Sequence, residues 1–80
     1  MAKVVGIGYN FVIVSPYENF RDNDVLMVHG RLVDVQSVSI SDGLPEDPES
    51  CTLYLLKPVP KEVQVGDSIG VPVVTEIKRG

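Results

Sequence analysis

Cysteine, histidine and alanine each occur once in this 80-residue chain and tryptophan not at all, and each scarcity excludes something. With Cys51 alone, no disulfide can close within the chain. That argues against a secreted disulfide scaffold and fits a reducing compartment, or a particle assembled in one. His29 and Cys51 are the only soft metal ligands, whereas a closed zinc site needs about four, so neither a metal nor another cofactor is expected. A single alanine argues against a helical bundle.

Long apolar runs are missing too. A membrane-spanning helix needs about 20 consecutive apolar residues, and no stretch reaches that length, so no membrane association is expected. Lys3 followed by Val4 to Val14 imitates a short signal peptide, but Gly6, Gly8 and Asn10 interrupt the run and no small-x-small cleavage site follows. No Asn-x-Ser/Thr acceptor exists, and Ala2 stands where myristoylation requires glycine. The expected location is the cytoplasm or an assembled particle, without secretion.

Positive charge is sparse and scattered. Seven Lys and Arg stand against eleven Asp and Glu, a formal charge of −4. Asp42, Glu46, Asp47 and Glu49 fall in one stretch without a basic residue, while Lys57, Lys61, Lys78 and Arg79 lie in the C-terminal third. Nucleic-acid binders carry a clustered basic stripe, because phosphate contacts dominate affinity; nucleic acid is therefore not an expected partner.

What the chain does have is β-branched and aromatic residues: 15 Val, five Ile and three Tyr. Val and Ile lose side-chain freedom in a helix but pack well on a pleated sheet. Eighty residues make one domain, residues 1–80, with a core too small to be more than marginally stable. With disulfides and metal excluded, oligomerisation is the remaining compensation.

The first strand is expected over Val4 to Val14, with Ile7, Tyr9, Phe11 and Ile13 on one face and Val12 and Val14 on the other. Ser15-Pro16-Tyr17-Glu18 has the pattern of a capping box, predicting a short helical turn from Pro16. From Val25 to Ser41 the chain is strand-like, but Val33 and Val35 sit at odd positions and Val38 and Ile40 at even ones. A β-bulge near Gln36-Ser37 would restore one inward face. His29-Gly30 reads as a hairpin turn or a bulge. Asp42-Gly43 is a turn, Leu44 to Ser50 an exposed acidic loop, and Cys51 to Lys57 a strand ended by Pro58-Val59-Pro60. After Gly66-Asp67, a last strand places Ile69, Val71, Val73 and Ile77 on one face, with Pro72 suggesting an edge.

These elements predict an all-β fold: a small five- to six-stranded barrel of the OB, SH3 or translation-barrel type with one short helical turn. A two-sheet sandwich is the alternative. Val63-Gln64-Val65-Gly66-Asp67-Ser68-Ile69 resembles the turn found in many β-barrels, including translation-factor barrel domains. It covers under a tenth of the chain and implies geometry alone.

Motifs that carry chemistry are broken. Gly6-Ile7-Gly8 opens a dinucleotide fingerprint, but Phe11 occupies the third glycine position and no strand precedes the turn, which leaves a flexible or bulged core strand. Asp22-Asn23-Asp24 lacks the later glycine and glutamate of a calcium loop and reads as a polar turn. A hydrolytic triad would have to use His29, and no sequence feature brings a nucleophile to it; Cys51 reads as a thiol packing beside Leu53. An enzyme is therefore not expected.

Tyr17, Phe20 and Arg21 form the candidate binding patch, with Phe20 as a plug over the barrel end the competing reading. Val12, Val14 and Val74 are the candidate interface, because their strands are apolar on both faces. The expected function is a non-enzymatic structural or interaction module that forms homo-oligomers or docks into a larger protein assembly, such as a virion accessory protein or a complex subunit. The alternative is an OB-like or SH3-like domain binding single-stranded nucleic acid or a peptide.

Overall fold

The computed structural model describes residues 1–71, and within them the protein is all-β. Six strands form one curled, half-barrel antiparallel sheet: β1 (Lys3–Ile7), β2 (Phe11–Ser15), β3 (Val25–Val28), β4 (Arg31–Ser39), β5 (Cys51–Leu55) and β6 (Ile69–Gly70). Their order across the sheet is β1-β2-β5-β4-β3-β6. The curl brings the two ends of the sheet together. Val4 N–H donates to the Asp67 carbonyl (2.8 Å), Gly66 N–H to the Val4 carbonyl (2.7 Å) and Ile69 N–H to the Ala2 carbonyl (2.9 Å). Such closure satisfies backbone groups that an open edge would leave unpaired.

The long first strand divides into two. Gly8 N–H donates to the Phe11 carbonyl at 2.8 Å, and the chain reverses through Gly8-Tyr9-Asn10 to pair β1 with β2. Glycine at position 8 leaves room for the Phe11 ring, which a Cβ there would displace. The pairing register shifts between Val4 and Gly6, so the expected bulge does lie in this segment.

Reversal also decides which face is inside. Val4, Val12 and Val14 enter the core, while Ile7 and Tyr9 are exposed. Val12 and Val14, expected at an interface between subunits, are 1% and 0% exposed and belong to the chain's own interior. Val74, and the part of the expected last strand that would follow Val71, lie outside the described residues.

No helix starts at Pro16. Ser15 instead completes the β2 ladder opposite Lys3, and a cis Ser15–Pro16 peptide leads into irregular chain. The Glu18 carboxylate does take up backbone hydrogen-bonding capacity, but at the N-terminus: its oxygens lie 3.1 Å from the Met1 ammonium and 3.1 Å from Ala2 N. The short helical turn occurs later, as a 3₁₀ turn at Ile40–Asp42.

Elsewhere the local signals hold. His29 and Gly30 have φ of 53° and 72° and join β3 to β4, with Val28 paired to Arg31. Positive φ at both positions is what a two-residue type I′ hairpin demands. On β4 the register jumps between Val35 and Ser37, leaving Gln36 as the extra residue. Val33 and Val35 point inward before the bulge and Val38 packs on the core after it. Ile40 does not follow, because the 3₁₀ turn carries it out to solvent. On β5, Cys51, Leu53 and Leu55 face inward, as their alternation predicts, and Leu56 is exposed beyond the strand's end.

Candidate functional site

The three residues of the expected binding patch separate. Phe20 is only 3% exposed and plugs the core, its ring set edge-on to Tyr17 at 6.2 Å. Arg21 stays on the surface, its N–H donating to Asp24 Oδ2 at 2.9 Å. The neighbouring Asp22 Oδ1 accepts from Val38 N–H at 2.8 Å, so Asp22-Asn23-Asp24 is a polar turn that docks onto β4. Tyr17 is half-buried and lines a surface groove of about 400 Å³ with Pro16, Ile40, Pro48 and Glu49. Tyr17 N–H donates to the Glu49 carbonyl at 2.8 Å, which ties the two walls together.

The loop between those walls is held from within. Ser50 Oγ accepts from Leu44 N–H at 2.7 Å and donates to the Asp47 carbonyl at 2.6 Å. Thr52 Oγ1 donates to the Asp42 carbonyl at 2.6 Å, and Tyr54 donates to the Asp42 carboxylate at 3.2 Å. Desolvation, and then that carboxylate beside its hydroxyl, raise the Tyr54 pKa. An acidic loop built this way presents its charge on a fixed frame.

A second surface escaped the sequence reading. On the outer face of the sheet, Val25, Met27 and Leu32 are 44%, 38% and 60% exposed. Met27 pairs directly with Leu32 on one side and Gly70 on the other. No side chain rises from Gly70, so a cleft of about 350 Å³ opens there among Met1, Met27, His29 and Val71. Beyond Leu32 the surface dips into a hollow of about 160 Å³ bordered by Pro58 and Pro60 and by the charged Asp34 and Lys57. The outcome is an apolar belt crossing β6, β3 and β4. Its signal was present in Val25-Leu26-Met27-Val28, which is apolar at every position and so covers both faces of a strand.

The fold also brings a carboxylate to His29. Asp67 Oδ2 lies 3.3 Å from His29 Nδ1 and accepts from Gln64 N–H at 2.8 Å. A carboxylate-oriented imidazole is two-thirds of a hydrolytic triad, but a triad also needs a nucleophile hydrogen-bonded to the second ring nitrogen. Ser68 borders the same cleft, yet Asp67 is the one charged partner of His29 among the described residues. The contact joins the β3–β4 turn to the turn preceding β6, 38 positions away in sequence (67 minus 29).

Cys51 is fully buried, and burial pushes its thiol up to about 11. A thiol so poor in thiolate is a packing group, not a nucleophile. Among the described residues no three His, Cys, Asp or Glu side chains gather as a metal site, and no helix is long and apolar enough to cross a membrane. Comparison with protein-family models, curated proteins and solved structures finds no match to this chain.

Proposed function

We propose that this chain is a non-enzymatic interaction module that associates with copies of itself, alone or within a larger assembly. One observation carries the reading: the outer belt in which exposed Met27 lies between exposed Leu32 and side-chain-free Gly70, with Val25 next along β3 and the exposed Asp34 opposite it marking the polar edge of the patch. Large contiguous apolar patches are rare on monomers and commonly mark interaction sites. A core this small also gains most from additional burial against a neighbour. The belt takes over the role expected of Val12 and Val14, whose side chains the fold consumes internally.

Sedimentation equilibrium of the full chain tests the proposal. The expected result is a mass that is a multiple of the chain mass, and a shift toward the monomer for Leu32→Asp with the strand spectrum kept. A monomer at high micromolar concentration would overturn self-association.

A further inference from the structure

The Tyr17 groove is separate from the apolar belt and differs from it in charge. Two prolines, Tyr17 and Ile40 supply an apolar floor, and Glu49 stands on its wall. The loop joining Ile40 to Pro48 and Glu49 carries Asp42, Glu46 and Asp47 without a basic residue. Among the described residues no cation pairs with any of these four acids, whereas Glu18, beside Tyr17, is already engaged by the Met1 ammonium. An occupant should therefore be extended, apolar along its length, and positive near one end.

The chain contains a segment close to that description, with Thr75-Glu76 as its polar interruption. After Val71 its sequence runs Pro72-Val73-Val74-Thr75-Glu76-Ile77-Lys78-Arg79-Gly80, with three aliphatic side chains ahead of two adjacent cations. We propose that the groove receives the Val73–Arg79 segment of a second copy. Valine and isoleucine side chains cover Tyr17, Ile40 and the prolines, and Lys78 and Arg79 meet the carboxylates of the 42–49 loop. At about 400 Å³ the groove is an open surface depression, one along which an extended segment can lie. Because groove and segment are different surfaces, the contact is made either reciprocally, two copies exchanging segments in a closed dimer, or head to tail, successive copies closing into a ring or extending as a filament.

This inference rests on the self-association reading, and complementary charge reversal separates the two. Full-length Lys78→Glu/Arg79→Glu and full-length Glu46→Lys/Glu49→Lys are each sedimented alone and then mixed, with circular dichroism confirming the fold. Either variant alone should associate at least about tenfold more weakly than wild type, since like charges then face each other. The mixture should recover a larger species, because each variant supplies what the other lacks. Wild-type association should also weaken as salt is raised. If wild type oligomerises and both variants match it, the groove–segment contact is wrong while self-association through another surface stands. A monomeric wild type would overturn both.

Discussion

At the scale of single residues, burial separates side chains that look alike in sequence. Phe20 and Arg21 are adjacent, yet one plugs the core and the other is exposed. Phe20→Ala should cost about 3–5 kcal/mol through the cavity it leaves, while Arg21→Ala should stay within about 0.5 kcal/mol; urea denaturation reads both. Ser15 caps no helix, so Ser15→Ala should likewise fall within about 0.5 kcal/mol, where a true cap would lose about 1 kcal/mol. Cys51 makes a prediction about pH. Its thiol ionises near 9.0 when exposed and at about 11 in the fold, so the unfolded chain loses that proton first as pH rises. The stabilisation is complete below pH 9 and is lost as pH climbs through 11. Tyr54, also raised, acts in the same direction. Urea midpoints should therefore fall between pH 9 and about pH 11, less steeply in Cys51→Ala, and a thiol reagent should label Cys51 only in denaturant.

Among the elements, two glycines hold turns for opposite reasons. Gly30 has φ of 72° and nothing within 4 Å of a hypothetical Cβ, so only backbone conformation demands glycine there. Gly30→Ala should lose roughly 1–2 kcal/mol, the cost of a left-handed alanine. Gly43 has an ordinary extended backbone, with φ of −76°, but a Cβ would overlap the Ser50 side chain and carbonyl. Gly43→Ala should cost about 1–3 kcal/mol by forcing the loop apart. Thermal melts of the two variants, combined with Ser50→Ala, distinguish the mechanisms. Removing the Ser50 hydroxyl should lessen the penalty at position 43 and leave that at position 30 unchanged, since contacting sites couple and distant ones add.

Over the whole molecule, net charge and surface pattern lead to predictions about binding. A charge of −4 without a basic stripe predicts weak, non-specific binding to DNA or RNA at physiological salt. Filter binding checks this, and a tight, salt-sensitive complex would contradict it. The belt predicts the opposite behaviour toward protein. Leu32→Asp should impair self-association yet leave stability nearly unchanged, because Leu32 is already 60% exposed in one copy. Val12→Asp should unfold the chain instead, as it would bury an unpaired charge.

Strand content, the bulge at Gln36 and a break in the strand at His29-Gly30 were determined by the sequence alone, because each rests on local physics, while the pairing of Val28 with Arg31 decided that this break is a hairpin turn and not a bulge. β-Branched side chains favour the pleat, a one-residue phase slip needs one extra residue, and a tight hairpin needs left-handed backbone. The hairpin inside Val4 to Val14 was decided only by tertiary structure. An apolar run with residues on both faces does not state whether it is one long strand or two short ones, and pairing with β5 settles it. The same holds for Ser15-Pro16-Tyr17-Glu18: its capping pattern is locally consistent, but Lys3 claims Ser15 and the N-terminus claims Glu18. The sites follow the same division. Tyr17 was legible as an aromatic on a loop, but its groove is completed by Ile40, Pro48 and Glu49, which come from a distant part of the chain. Which of two apolar faces turns inward is a property of the closed sheet as a whole, so Val12 and Val14 went to the core and left Val25, Met27 and Leu32 outside.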